Sequence, residues 1–599
     1  MDGLFFDYRV LENRGRKLRL SRDCEVIGED GSFAAGYARR AAASFPATGD
    51  GIDIILSMGY PESLVAGLGD RFAEHKESYA IRIKKDGTYL YALTRRGLIY
   101  AVSTLIRLVV GDCVTDDLTL FDYPDMDIRG YRVFTPGRDH IPAFKAVIDR
   151  LVDYKYNCVI IEVGGAMEYK RRPEINEEWV RFCKEISSSK GAASRIKSHT
   201  YPWRKNSIHF DNGDGGFITQ NQMRELIEYC RQREIDVIPE VPTLSHSDYI
   251  VRTYRDLNER IEDEYPDTYC PSKPETYEVV FDIIDEVIEV FEPEYINIGH
   301  DEYYTAAQCT LCRGKSPVDL YVEDIKRIND YLKSKNVKAL MWADKFFGDP
   351  VTGNAYPAKM VPDLLGCRGK VPADIALLNW AWQSDVEDQE RLLVDLGYEL
   401  IFGNFDAISC PDYRKRKGLH RGGIVSNWGS LAEEYIQRNL QDFWLADTAF
   451  VFWSAGYTNA DAPALLEKVR RELYGAHKRS LGDRVIEICH TVGIRKQHVF
   501  FWDGLFIEPS EFKIGDHTVR YDDGTEAKLP VIYGYNIRQS GIPDFESDVG
   551  GDAIEALGAS YPFIRDGEVW YRTCWADPYP QKSISSVDPA PGVRILREN

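Results

Sequence analysis

Two adjacent carboxylates, Asp301 and Glu302, close the run Tyr295-Ile-Asn-Ile-Gly-His-Asp-Glu302. Acids at the carboxyl end of a short apolar strand stand where alternating strand–helix barrels hold their chemistry. An acid pair suits proton transfer to a leaving oxygen, as in breaking a glycosidic bond. Two carboxylates this close disfavour double ionisation, so one keeps its proton near neutral pH and the pair titrates as a coupled unit. The same dipeptide can also cap a helix or lie in a solvated loop, so the surrounding sequence must decide.

The elements that would position the pair can be read on both sides of it. Strand candidates are Gly130–Phe134, Cys158–Val163, Asp236–Glu240, Tyr295–Ile298, Lys338–Trp342, Ile375–Asn379, Glu399–Gly403 and Gly423–Asn427. Amphipathic helices fall between several of them. In 276–291, Val280, Ile283, Ile284, Val287 and Phe291 share one face. Thr219 with Gln222 three residues on forms a capping-box pattern, and Leu226, Ile227 and Cys230 then point inward. Eight such units predict a (β/α)₈ TIM-type barrel over 126–475. The long stretch 164–217, rich in Glu, Lys, Ser and Gly, reads as an insertion over the catalytic face.

Residues 1–125 read as an α+β domain. Ile52–Leu56 is strand-like, and Lys85-Asp86-Gly87 separates the strand-like run from Tyr79 from that at Tyr89, a hairpin signal. An apolar helix follows from Ile99 to Val110. Residues 476–599 are expected to form a helix (Asp483–Val492) and then a β-sandwich-like accessory domain, with Val531–Ile537 and Glu568–Cys574 as strands.

Composition excludes several classes. The 599 residues are 44% hydrophobic and 28% charged, as in soluble globular chains. A net charge of −21 without a long basic run argues against nucleic acid and anionic membrane as partners. No stretch approaches the ~20 apolar residues a membrane span needs. The first residues, MDGLFFDYRVLENRGRK, lack a basic start followed by an apolar core. The expectation is a cytoplasmic protein whose twelve cysteines are reduced thiols rather than a disulfide framework. Aromatic content of 12% suits a surface that stacks on sugar C–H faces, and suits any large core equally.

An ordered set of segments resembles glycoside hydrolase family 20, the β-N-acetylhexosaminidases. Arg129-Gly130 matches the "R-G" that opens the first barrel strand in that family. Glu240-Val-Pro-Thr-Leu-Ser-His246-Ser resembles its "E-[ID]-x-x-P-G-H-S" loop. Tyr269-Cys-Pro-Ser-Lys-Pro-Glu-Thr-Tyr277 resembles "L-C-P-S-N-P-E-T-Y", and Asn297-Ile-Gly-His-Asp-Glu302 resembles "H-I-G-G-D-E". The likeness runs in order over roughly 50–475, including a small domain ahead of the barrel.

The resemblance implies a retaining mechanism in which the substrate's 2-acetamido oxygen is the nucleophile, an exception to the two-carboxylate scheme. Glu302 would be general acid and then base, and Asp301 would orient the acetamide. His246 would steady the pair. Trp342, Trp428 and either Trp380 or Trp382, with Trp380 preferred, would wall the pocket. Arg138 would grip ring hydroxyls, although it stands one residue further from Arg129-Gly130 than the family spacing. His300 replaces a usual glycine and reads equally as a contact or a support.

The departures bear on substrate. The family's "H-x-H-x-x-D" after the second strand is here Asn157-Cys-Val-Ile-Ile-Glu162-Val-Gly-Gly165. Glu162 is the one acid that could restore an acceptor there. The "Y-x-D" after the seventh strand is at best Asn404-Phe405-Asp406, and "W-x-E" after the eighth is Trp428-Gly429-Ser430. Cys309-Thr-Leu-Cys312 lacks the second C-x-x-C or His pair of a zinc motif, with only Cys270 placed to lie near. The expectation is therefore no metal and no organic cofactor. The favoured reading is an exo-acting glycosidase releasing terminal N-acetylhexosamine, with a carbohydrate partner and self-association left open. The alternatives are a glycosidase for another terminal sugar and a non-catalytic glycan-binding protein.

Overall fold

The computed structural model describes residues 5–65, 75–187, 206, 208–348, 363–438, 440–482, 484–493, 513–537 and 560–596. At its centre eight parallel strands close into a barrel. They are β1 (Ile128–Phe134), β2 (Cys158–Glu162), β3 (Asp236–Thr243), β4 (Tyr295–Gly299), β5 (Lys338–Trp342), β6 (Ala376–Asn379), β7 (Leu400–Phe402) and β8 (His420–Ser426). Each predicted barrel strand overlaps one of them. Their apolar runs reflect burial on two faces, by the barrel interior and by an outer helix layer.

The helices form where the periodicity placed them. Pro274–Phe291 turns Val280, Ile283, Ile284, Val287 and Phe291 inward. Gln220–Arg231 starts at a capping box in which Thr219 and Gln222 exchange side-chain and backbone hydrogen bonds. Gly403 follows β7 because a Cβ there would stand 2.7 Å from the Trp342 ring.

The N-terminal sheet has six strands, in the order 10–17, 115–122, 79–84, 87–92, 54–58 and 26–27. Tyr79–Lys84 and Gly87–Ala92 form the expected hairpin. The helix Arg95–Val110, capped by the Thr94 side chain, covers the sheet. Arg129 of β1 ties this sheet to the barrel. Its guanidinium is 1% exposed, donates to the carbonyls of Lys155 (2.9 Å) and Met126 (2.8 Å), and pairs with Glu77.

The C-terminal part corrects one expectation. Val485–Val492 is a strand, not a helix. Its buried residues alternate (Ile486, Ile488, His490), and it pairs antiparallel with Glu568–Ala576. A period of two wins over proximity to the helix Ala462–Ser480. The strand expected over Val531–Ile537 is Glu526–Ile532, ending in a turn. A four-stranded and a three-stranded sheet face each other across Ile486, Ile488, Val519, Tyr521 and Leu529, a sandwich as expected. Among the described residues no helix is long and apolar enough to cross a membrane.

Candidate active site

The carboxyl ends of the barrel strands bring one set of polar groups together. Asp301 and Glu302 follow β4 directly, with side chains 12% and 13% exposed. His246, in the loop after β3, places Nε2 3.2 Å from Asp301 Oδ2 and 3.3 Å from Glu302 Oε2. Tyr304 donates its hydroxyl to Glu302 Oε1 at 3.0 Å. The Glu302 backbone N–H donates to Asp344 Oδ2 at 3.0 Å, and Lys345 Nζ lies 3.2 Å from the same oxygen. Ser245 donates to the Asp301 carbonyl. Asn206, oriented to satisfy both ends of its amide, donates to the Glu302 carbonyl (2.6 Å) and accepts from the His246 N–H (3.2 Å).

These contacts hold a strained backbone. His246, His300 and Glu302 have φ of 49°, 69° and 51°, the left-handed region that non-glycine residues avoid. Such conformations cost of order 1–3 kcal/mol each and persist where surroundings over-determine them. Gly299, at φ 74°, runs 3.1 Å from Pro242 Cα by the reach of a Cβ, so β4 can approach the loop after β3.

The electrostatics follow from the shared imidazole. Burial opposes charge on His246, but Asp301 and Glu302 outweigh it and raise its pKa well above that of a free histidine. Burial likewise pushes Asp301 up, and the His246 charge more than offsets this, leaving Asp301 below the ordinary carboxylate value. Both shifts favour a proton on His246 and the ionised form of Asp301.

His300 bonds away from the carboxylates of the acid pair. It is fully buried, with Nε2 2.9 Å from Asp324 Oδ2 and Nδ1 3.1 Å from Thr243 Oγ1. Asp324 also accepts from Tyr269 (3.1 Å) and Tyr277 (2.6 Å), so the "Y-C-P-S" segment and the acid-pair segment are clamped to one carboxylate. Asp324→Asn leaves that buried network one acceptor short and is expected to destabilise the fold by about 1–3 kcal/mol. A lower urea midpoint at unchanged slope would register it; an unshifted midpoint would refute the clamp.

Glu162, at the end of β2, belongs to a second buried cluster. It pairs with Arg132 of β1 and with His209 Nδ1 (3.0 Å), and accepts from Asn212 (3.2 Å). Burial raises its pKa to about 7 against the pull of Arg132. Arg132 also donates to Glu240 (2.9 Å), which accepts from Trp342 Nε1 (3.0 Å). The His209 ring stacks on His246 at 4.4 Å, so this cluster touches the acid pair through two imidazoles.

Trp342, Trp380 and Trp428 belong to the apolar cluster that fills the barrel interior. Trp342 is buried, whereas Trp380 and Trp428 are part exposed. Trp428 donates to Asn404 Oδ1 (3.0 Å), and the Arg132 guanidinium lies 3.7 Å from its ring centroid. Trp382 is fully buried and donates to the Gly403 carbonyl, whereas Trp380 keeps part of its ring exposed.

Two expected residues are not gathered. Arg138 is exposed and donates to the Phe217 carbonyl at 3.3 Å. The extra residue after Arg129-Gly130 carries it past the strand end, and Arg132 is the buried guanidinium instead. Asp406 folds back on its own loop, accepting from the Ile408 N–H (3.1 Å) and from Ser409, while Asn404 holds Trp428. Ser430 donates to Asp214, which also accepts from the Gly137 N–H (2.7 Å). The 164–217 segment thus does reach the catalytic face through His209, Asn212 and Asp214; its residues 188–205 and 207 lie outside the described set.

Comparison with known proteins matches the barrel. Residues 142–435 fit the model of glycosyl hydrolase family 20, catalytic domain. A β-hexosaminidase of Akkermansia muciniphila is 27% identical over 264 residues, 40% of this chain and 48% of that protein. One of Vibrio furnissii is 23% identical over 302 residues, 46% of this chain and 47% of that protein. The chain thus aligns with about half the length of these curated relatives. The crystal structure of β-N-acetylhexosaminidase from Bacteroides fragilis superposes with a TM-score of 0.58 at 20% identity, covering 79% of this chain and 95% of that one. That of Streptomyces plicatus N-acetyl-β-hexosaminidase in complex with Thio-NAglucal gives 0.54 at 16%, covering 79% and 94%. The matched span is the barrel that holds the acid pair, so residues 142–435 match the catalytic domain of glycosyl hydrolase family 20.

Proposed function

We propose that the chain is an exo-acting glycosidase that removes terminal N-acetylhexosamine from glycans with retention. The observation that carries this is the acid pair bridged by His246. One ligand atom from each of His246, Asp301 and Glu302 lies within 4.8 Å of the others. Carboxylates that close leave no room for the water an inverting enzyme holds between acids ~6.5–9.5 Å apart. Adjacent residues on one strand end also cannot flank a sugar as acid and opposed nucleophile. The likeness to glycosyl hydrolase family 20 implies that the substrate's own acetamide makes the displacement.

In the first step Glu302 gives its proton to the glycosidic oxygen and the C1–O bond breaks. The acetamide oxygen bonds C1 and the amide nitrogen becomes cationic. Asp301, held ionised by His246, accepts the N–H and offsets that charge. In the second step Glu302 takes a proton from water, the water oxygen bonds C1, and the acetamide oxygen leaves. Two inversions give net retention. Trp380, Trp428 and Trp342 supply the apolar wall.

Turnover of an aryl N-acetyl-β-glucosaminide, but not of the plain β-glucoside, tests the acetamide requirement. A thiazoline mimic of the cyclised intermediate should inhibit strongly. Equal turnover of both glycosides would reject the scheme. Gly403→Ala drives a methyl into Trp342, with an expected cost of about 1–3 kcal/mol in stability and a raised KM; an unchanged KM would remove Trp342 from the pocket wall.

One observation favours a changed sugar preference. Ser430 stands where the family pattern has Glu and is bonded to Asp214, while Glu162, paired with Arg132, is the acid in the segment that lacks the "H-x-H-x-x-D" groups. A panel of gluco- and galacto-configured aryl glycosides, with and without the acetamide, separates the readings. A cytoplasmic setting remains part of the proposal and rests on composition; cell fractionation tests it.

A further inference from the structure

The C-x-x-C at Cys309 and Cys312 has no part in the chemistry above. It follows β4, and in the fold it meets two residues from the loop after β3. Cys270 Sγ lies 3.3 Å from Cys309 Sγ and 3.5 Å from Cys312 Sγ. A carboxylate oxygen of Glu259 completes the group, with one ligand atom from each of the four residues within 4.8 Å of the others. Glu259 is 1% exposed. Its Oε1 accepts the backbone N–H of Gln308 (2.6 Å) and of Cys309 (3.1 Å), whereas Oε2 has no nitrogen or oxygen donor among the described residues and faces the Cys312 thiol. The nearby Lys315 ammonium is bonded to Ser272 Oγ (2.9 Å), which also accepts from Cys312 (3.1 Å).

A buried carboxylate oxygen among three sulfurs is satisfied by a proton or by a cation, and the convergence of four ligand atoms of metal-binding type points to a cation. Three soft sulfurs and one oxygen suit zinc. Tetrahedral zinc with Zn–S of about 2.3 Å holds its sulfurs roughly 3.8 Å apart, a few tenths of an ångström beyond the spacing found. We propose that Glu259, Cys270, Cys309 and Cys312 form a structural zinc site. Four protein ligands leave no open position, so the ion would not touch substrate. On binding, each thiol that becomes a ligand releases its proton to solvent, the zinc stays divalent, and nothing is oxidised.

The placement gives the site a purpose. Glu259 and Cys270 lie on the loop that carries His246. Cys309 and Cys312 lie on the loop that carries Asp301, Glu302 and Tyr304. Zinc would staple the two loops whose relative position sets the His246 bridge. The proposal stands on the cluster alone and survives if the substrate assignment changes.

The test uses the full chain, expressed with zinc in the medium and purified without chelator. Elemental analysis should find about one zinc per chain, and all twelve cysteines should titrate as free thiols after denaturation with chelator. Cobalt added to the stripped protein should give thiolate charge-transfer absorption and the intense visible bands of a tetrahedral ion. Cys309→Ser with Cys312→Ser should abolish both signals, while Cys24→Ser leaves them unchanged. If the double variant fails to fold, the wild-type zinc content and cobalt spectrum decide alone. Zinc far below one per chain, or two thiols missing as a Cys270–Cys309 disulfide, would overturn the proposal.

Discussion

Glu302→Gln lowers kcat for an aryl N-acetyl-β-glucosaminide with a poor leaving group by about 10²–10⁴-fold, the range of a positioned acid–base group. Glutamine keeps the size of the side chain and its acceptor for the Tyr304 hydroxyl, now at 3.0 Å. It has no proton to give. The loss should shrink for a phenol so acidic that it departs unaided, because protonation then contributes little to the first step. Formation of the intermediate and its hydrolysis would separate in such a substrate, and a burst of phenol would mark the accumulating intermediate. Leaving-group dependence of kcat/KM for wild type and variant is the measurement. An equal loss for every leaving group would mean that Glu302 positions rather than protonates, and an unchanged kcat would return the barrel to glycan binding.

The barrel was legible because its strands are buried on both faces and read as short apolar runs. Four of the eight runs end on or just before a residue of the candidate site: Glu162, Gly299 before the acid pair, Trp342, and Asn379 before Trp380. Val485–Val492 was less legible. It follows the helix Ala462–Ser480 almost directly, and only its alternation of Ile486, Ile488 and His490 marks a strand.

The site divides along a physical line. Asp301 and Glu302 could be named from sequence because the fold fixes where the end of β4 points. Groups supplied by the long loop after β2 could not. Asn206, His209, Asn212 and Asp214 lie in 206–217, which has no period to read, and their partners are 30 or more residues away. Arg132 had a signal: a charge inside an otherwise apolar parallel strand needs a buried partner, and Glu162 and Glu240 provide it. Asp344 had a weaker one, an acid two residues past Trp342 on a strand end. Arg138 misled because spacing along the chain was carried over while the loop had grown by a residue.

Asp301→Asn is expected to lower kcat by about 10²–10³-fold, the range for one electrostatic contact to developing charge, and to change the pH profile in a way Glu302→Gln does not. In the wild type, the neighbouring Asp301 and Glu302 raise the His246 pKa above the ordinary histidine value. Its raised folded pKa means that its contribution to stability is complete below the unfolded value, about 6.5, and is lost as pH rises through the raised value. Asp301 has the opposite sign. Its depressed pKa gives stability that is present above the unfolded value, about 4, and is lost as pH falls through the depressed one. The asparagine removes both linkages at once. The gap in Tm between wild type and variant should therefore be widest from about pH 4 to about pH 6.5 and should narrow at either side. With one carboxylate gone, burial wins at His246 and its pKa falls, so the alkaline limb of activity moves to lower pH. Parallel pH scans of Tm and kcat/KM check both movements. A Tm gap that stays flat across pH, with an unmoved alkaline limb, would show that His246 is not the cation shared by the two acids.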